Sequence, residues 1–355
     1  MIRALRQHWP EYLIEAAALG TFMVSAALFT ALLEYPGSPV HQAIPNGFLR
    51  LALNGLAMGM TAIGIIYSPW GQQSGAHMNP AFTLTFLRLG KIKSWDALFY
   101  ITGQTVGGVC GVWFAKLLLG GVIAHPSVNY VVTVPGNAGV AVAFAAEMII
   151  AGGMMLMVLA ITNTPRLARF TGLFAGALVF LYITFEAPLS GMSINPARTA
   201  ASAFPSAIWT AGWIYFTAPI LGMLLAVEIY RALKGLTHLA CPKYHHGTKQ
   251  RCIFCGHPGQ AKTVSTSEPG CARACKVSLF AQSPGHQRRQ VQQDHHGAVL
   301  RARHREGADL VRLGRGKPRR GLVRQADSVS RRVGRFAVAA DVGVAGSKSE
   351  FRVPK

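Results

Sequence analysis

Long apolar runs dominate the first two thirds of the chain. They fall at about residues 11–33, 47–67, 95–121, 138–162, 169–188 and 207–231. Each is long enough for an α-helix to cross a hydrocarbon core of ~30 Å, which takes about 20 residues. After the second run and again after the fifth comes a shorter apolar segment with a shared opening. The two openings read Ser74-Gly75-Ala76-His77-Met78-Asn79-Pro80-Ala81 and Ser190-Gly191-Met192-Ser193-Ile194-Asn195-Pro196-Ala197. Asn suits the N-cap, where its side-chain oxygen accepts a free backbone N–H. Pro suits the first helical position, where the N–H it lacks would have no partner anyway. Asn79 to Leu87 and Asn195 to Phe204 each predict a helix of roughly 15 Å, about half of the core. One Asn-Pro is a common turn signal. Two copies in the same apolar setting read as a duplicated half-helix that begins near the bilayer midplane.

Charge placement orients the runs. Arg3 and Arg6 precede the first, Arg88, Lys91 and Lys93 separate the second and third, Arg166 and Arg169 separate the fourth and fifth, and Arg231 and Lys234 follow the sixth. The opposite connections, 34–46 and 122–137, hold no Lys or Arg, although Arg50 and Lys116 stand near those span ends. Positively charged loops stay in the cytoplasm, so both termini are expected there, with the chain in the cell (plasma or inner) membrane. Three spans separate the two Asn-Pro copies, so one half-helix enters from the cytoplasm and the other from outside. The expected fold is an all-α membrane protein with six transmembrane helices plus two re-entrant half-helices in two inverted repeats. Apolar residues at 51% and charged residues at 14% favour this over a soluble domain. Gly103, Gly107 and Gly111, with Gly172 and Gly176, stand at helix-packing spacing. The apolar run after Pro10 is long enough to span, so no cleaved signal is expected.

The polar residues left inside the spans carry the chemistry. Glu15 and Glu147 recur early in spans one and four; an ionisable group at that depth needs a specific partner. The N–H groups of the non-helical segments before each Asn-Pro are the expected partners. Glu186 has no counterpart, and mouth-lining and interfacial positions both suit it. The Asn79 and Asn195 oxygens cap their helices and leave the amide NH₂ to donate into a passage. The carbonyls of Gly75, Ala76 and His77, and of Gly191, Met192 and Ser193, form a ladder of acceptors leading to it. Two helix N-termini that meet create a positive potential, which repels cations and admits neutral solutes. Arg198 stands where the first copy has Phe82 and is read as a donor and positive gate at the outer constriction.

With its doubled motif, Arg198, the Glu15/Glu147 pair and six spans, the chain resembles the aquaporin (major intrinsic protein) family over about residues 8–240. The resemblance implies an aquaporin-like bundle in a lipid bilayer, assembled as a homotetramer with one pore per subunit. It implies passive passage of water and small neutral solutes, with no enzyme activity, cofactor, metal or nucleic-acid partner. The family's outer filter maps onto Arg198, Met192, Ile183 and either Met58 or Gly59. Strict water channels commonly have His at the Ile183 position and a bulky aromatic on span two, and this chain has neither. Glycerol facilitators typically have Asp after the Arg, and here it is Thr199. Water channel is the first reading, a glycerol- or urea-type facilitator the second. A non-conducting membrane scaffold, which needs neither Asn nor Arg in a pore, is the third.

At about Cys241 the chain changes character. Of 35 Lys and Arg, 23 lie beyond residue 240, as do five of the six cysteines. Residues 1–240 therefore read as the channel domain and 241–355 as a basic, Cys/Arg-rich tail. Cys252 and Cys255, with Cys241, His245, His246 and His257 nearby and Cys271 and Cys275 beyond, are donor types that zinc accepts. No helix or strand pattern flanks them to fix a geometry. The preferred reading is an unstructured tail with free thiols. Arg312, Arg315, Lys317, Arg319, Arg320 and Arg324 form a basic run suited to anionic lipid or nucleic acid. Only Phe280, Phe336 and Phe351 could stack bases from residue 262 onward, so disorder is preferred. An appended, shifted reading frame is a further explanation for the abrupt change.

Overall fold

The computed structural model describes residues 1–235, 241–246 and 249–259. Among these residues there are helices and no strands. Six helices are long and apolar enough to cross a membrane. They are α1 (Ile2–Glu34), α2 (Gly47–Tyr67), α4 (Ser94–Leu119, continued by a 3₁₀ turn to Ala124), α5 (Val140–Thr162), α6 (Thr171–Phe185, preceded by a 3₁₀ turn from Ala168) and α8 (Trp213–Lys234). The half-helices are α3 (Pro80–Arg88) and α7 (Pro196–Ser206).

Local chemistry sets most boundaries. The Asn46 side chain accepts the Leu49 N–H at 3.0 Å and starts α2. Gly120 and Gly235, at φ 56° and 73°, end α4 and α8 where a Cβ would be strained. Two ends differ from expectation. Helix α1 begins at Ile2 and runs through Pro10; at 33 residues it is roughly 50 Å long and projects beyond a ~30 Å core. Its projecting turns are anchored on Asp96, whose carboxylate accepts from Tyr12 at 2.6 Å and pairs with His8 at 2.8 Å. Helix α8 starts six residues late, because Ala207 in the left-handed region (φ 58°) ends α7 and a turn intervenes.

The packing follows the duplication. Helix α1 lies against α4 in the first repeat and α5 against α8 in the second, while α2 and α6 cross between repeats. Each half-helix packs on the last span of the opposite repeat, α7 on α4 and α3 on α8. The glycine rows allow these approaches. A Cβ on Gly107 would overlap the Ala16 backbone, and one on Gly59 or Gly176 would overlap the other's carbonyl. Large apolar side chains such as Leu117, Phe114 and Ile149 stay exposed around the bundle. A soluble surface would not tolerate such a belt, whereas hydrocarbon covers it without cost.

Arg88, Lys91 and Lys93, with Arg231 and Lys234, mark one end of the bundle, called here the basic end. The tail reading needs correction there. Residues 241–246 and 249–259 are not a loose extension; they pack against the basic end through Lys243, Tyr244, Arg251 and Phe254. Their thiols converge instead of scattering, because those long-range contacts supply the geometry that flanking helices or strands would otherwise provide. The basic run from Arg312 to Arg324, Cys271, Cys275 and the expected disorder of that region lie outside the described residues.

The glycine row yields a matched pair of variants. Gly107→Ala is expected to lower the thermal unfolding midpoint in detergent, by an overpacking cost of about 1–3 kcal/mol. Gly64→Ala, whose Cβ meets nothing within 4 Å, is expected to leave the midpoint unchanged or slightly raised.

Candidate functional site

The two half-helices start from equivalent irregular segments. Gly75, Ala76 and Met78 have φ of 99°, 54° and 49°; Gly191, Met192 and Ile194 have 83°, 48° and 47°. Such backbone cannot pair its own N–H groups, and on the side turned into the bundle there is no water to do it. Glu15 supplies the partners in the first repeat, accepting from His77 N at 2.9 Å, Met78 N at 2.7 Å and Ser74 Oγ at 2.7 Å. Glu147 does the same in the second, accepting from Ser193 N at 2.6 Å, Ile194 N at 2.7 Å and Ser190 Oγ at 2.9 Å. Both carboxylates are fully buried. Tyr100 and Tyr215 donate to the Ser74 and Ser190 carbonyls, so the duplication extends to the supporting shell.

At the junction, Asn79 Oδ1 accepts Ala81 N–H at 2.9 Å, and Asn195 Oδ1 accepts Ala197 and Arg198 N–H at 3.0 and 3.2 Å. The sequence predicts amide groups free to donate into the passage, but each is half engaged. Asn79 Nδ2 donates to Ile194 O at 2.8 Å, and Asn195 Nδ2 donates to Met78 O at 2.6 Å. Each carboxamide thus ties the two repeats together and keeps one N–H for another acceptor. Pro80, Ala81, Pro196 and Ala197 form the buried first turns behind them.

A cavity of about 400 Å³ runs past this junction. Asn79, Asn195, Met58, Ile183, Met192 and Arg198 all line it, as do His77, Gly191 and Ser193. Met58 and not Gly59 faces the cavity, because Gly59 is spent on the close approach to Gly176. Gly75 and Ala76 depart from expectation. Ala76 is fully buried, the Gly75 carbonyl accepts the Tyr244 N–H at 3.3 Å, and neither residue lines the cavity. Glu186 is buried at the end of α6 and is not a lining residue either.

The two ends of the cavity differ. Towards the far end the loop before α5 folds inward, and Arg198 Nη1 donates to Thr133 Oγ1 at 3.3 Å. Thr133 also bonds Thr199, which bonds Ser193, at 3.0 and 2.6 Å. Asn54 lines the same region with one end of its amide on Thr30 Oγ1 at 3.2 Å; the other end has no partner among the described residues. At the basic end the lining closes on Ile66, His77 and Tyr244. His77 Nε2 lies 2.7 Å from Pro242 O and must carry the proton, since a carbonyl only accepts. Tyr244 stacks on Phe82 at 4.6 Å and Phe254 on His77 at 5.6 Å. Asn54, Thr133 and Tyr244 carried no motif that marked them in the sequence.

Residues 6–230 match the family model described as major intrinsic protein. The chain is 34% identical to aquaporin NIP6-1 of Arabidopsis thaliana over 194 residues, 54% of this chain and 60% of that protein. It is 31% identical to aquaporin NIP2-2 of Zea mays over 219 residues, 61% of this chain and 72% of that protein. The chain thus spans less than two thirds of the first relative and somewhat more of the second. The X-ray structure of the aquaglyceroporin from Plasmodium falciparum superposes with a TM-score of 0.53 at 20% identity, covering 63% of this chain and 96% of that one. That likeness concerns the fold alone.

The carboxylate caps can be probed directly. Glu147→Ala leaves the Ser193 and Ile194 N–H groups without their acceptor. It is expected to destabilise the folded protein by about 1–3 kcal/mol per orphaned donor. Glu147→Gln, which keeps one acceptor oxygen, should fall between the two in detergent unfolding.

Proposed function

Given that the chain belongs to the major intrinsic protein family, we propose that it is a passive membrane channel carrying water first and small uncharged solutes second. The observation that carries this reading is the meeting of Asn79 and Asn195, from opposite repeats, on one cavity. Each carboxamide has a spare N–H there. A water that accepts from both is turned so that it cannot hand a proton along a file of neighbours. The N-termini of α3 and α7 converge at the same point, and their partial positive charge raises the energy of any cation, hydronium included. Arg198 adds a full positive charge further out.

Gly191, Ser193 and His77 line the cavity beside the junction, and in this reading their carbonyls act as acceptors. Most of the remaining wall is apolar, with Thr30, Asn54, Ser127, Asn129 and Tyr244 as its other polar members, so water is bound at few points and moves on. The positive residues at the basic end support a cytoplasmic placement of that end, with the chain in the cell membrane. A homotetramer suits the belt of exposed apolar side chains, part of which would be covered by neighbouring subunits. Size-exclusion chromatography with light scattering tests it.

One observation favours the second solute class. Met58, Ile183 and Met192 line the same cavity as Arg198, three apolar side chains alongside one donor. Such a wall accommodates the CH groups of glycerol while the guanidinium takes its hydroxyls. The glycerol- or urea-type facilitator is therefore the runner-up.

Stopped-flow light scattering on proteoliposomes decides between these. Osmotic water flow above that of empty vesicles is expected, and a rate equal to theirs with well-folded protein, both as purified and after treatment with a metal chelator, removes the channel reading. Ile183→His combined with Met58→Phe narrows the filter and is expected to cut glycerol flux more than water flux. An unchanged ratio removes those two positions from the filter.

A further inference from the structure

The segment after α8 carries donors that the passage does not use. Cys241, His246, Cys252 and Cys255 converge at the basic end, with their ligand atoms all within 4.8 Å of one another. Cys241 Sγ lies 3.3 Å from Cys252 Sγ, and His246 Nε2 lies 3.2 Å from Cys255 Sγ. Around tetrahedral zinc, with Zn–S of ~2.3 Å and Zn–N of ~2.0 Å, neighbouring ligand atoms stand roughly 3.5–3.8 Å apart. The two closest pairs fall just under that spacing and no pair exceeds 4.8 Å, so side-chain adjustments of about 1 Å bring all four atoms onto one ion. The cluster is not a disulfide, which needs ~2.05 Å between sulfurs, and all three cysteines are free.

The backbone around the cluster is shaped for the same purpose. Residues 252–255 form a tight turn in which Gly256 N–H bonds Cys252 O at 3.0 Å, and Cys252 N–H bonds His257 O at 2.8 Å. Three thiolates and an imidazole are a soft donor set that selects zinc over magnesium or calcium. No helix or strand is formed by the described residues of 241–259, and so short a segment has no core of its own. A metal would supply the missing cross-link.

The position of the cluster suggests its consequence. Its ligands bracket Tyr244, the residue on which the cavity ends. On the same side Lys243 Nζ donates to the Gln72 and Gln73 carbonyls, each at 2.8 Å. Arg251 grips the buried Glu11 carboxylate with two bonds of 2.8 and 2.7 Å. We propose that Cys241, His246, Cys252 and Cys255 bind one Zn²⁺, and that the metal holds residues 242–246 as a plug over the basic mouth of the passage. The closing part rests on the channel reading; the metal part does not.

Full-length protein purified without chelator, then analysed by inductively coupled plasma mass spectrometry, is expected to hold one zinc per chain. Cys252→Ser/Cys255→Ser and, separately, His246→Ala should lose it while remaining monodisperse. Metal-free protein that takes up no added Zn²⁺, or a Cys241–Cys252 disulfide in its place, overturns the site. Water flow is then measured on the same full-length protein in vesicles, zinc-loaded and after treatment with a membrane-impermeant chelator. Removal of zinc is expected to raise the flow on the order of tenfold, as a released closed state would. Equal, non-zero flow in both states overturns the plug and leaves the channel reading intact. No flow in either state sinks the channel reading and the plug with it, while the zinc count still decides the site.

Discussion

Backbone that is neither helix nor strand survives at membrane depth only where each N–H finds an acceptor, in the protein or in a water-filled cavity. Here two carboxylates meet that requirement, Glu15 for residues 77 and 78 and Glu147 for residues 193 and 194. Most of the interior is arranged around them. Ser74 and Ser190 fill the remaining oxygen positions, Gln104 donates to Glu15 at 2.8 Å, and two tyrosines hold the serine carbonyls from behind. Without those acceptors the loops would have to become helical, and the half-helices would no longer start at the middle of the bundle.

The symmetry of this core is broken at both mouths, and the breaks are chemical opposites. On the far side the second repeat carries Arg198, steadied by Thr133. On the basic side the equivalent position of the first repeat is Phe82, fully buried beneath Tyr244 and against His77. A guanidinium stands towards one end of the cavity and an aromatic stack towards the other. The shared middle keeps its two carboxamides equivalent because each bonds the opposite repeat.

What holds residues 241–259 in place is specific more than strong. The Arg251–Glu11 pair is bidentate, yet Glu11 is fully buried, and desolvation offsets much of the attraction in such pairs. Aromatic stacking adds only about 0.5–1.5 kcal/mol per pair. Against the ordering cost of a peptide this short, these contacts fix a position without securing it. A metal cross-link changes that balance, since zinc binding contributes directly to the folding free energy of small segments.

Six spans, two helix starts, the glycine rows and the paired glutamates were all legible in the amino-acid sequence. Those features are local or repeated: apolar length, Asn-Pro capping and a motif met twice each state their own meaning. Long-range register was not legible. Whether Met58 or Gly59 faces the cavity depends on how α2 crosses α6, and Thr133 and Asn54 matter only because a loop brings the first to Arg198 and a helix brings the second to the cavity. The same limit applies to residues 241–259. Their composition resembled that of a loose tail, and only packing against Glu11, His77 and Phe82 gathers three thiols and an imidazole at one point. Periodicity and capping are encoded within a few residues, whereas a contact between residues 11 and 251 exists only once the whole bundle has formed.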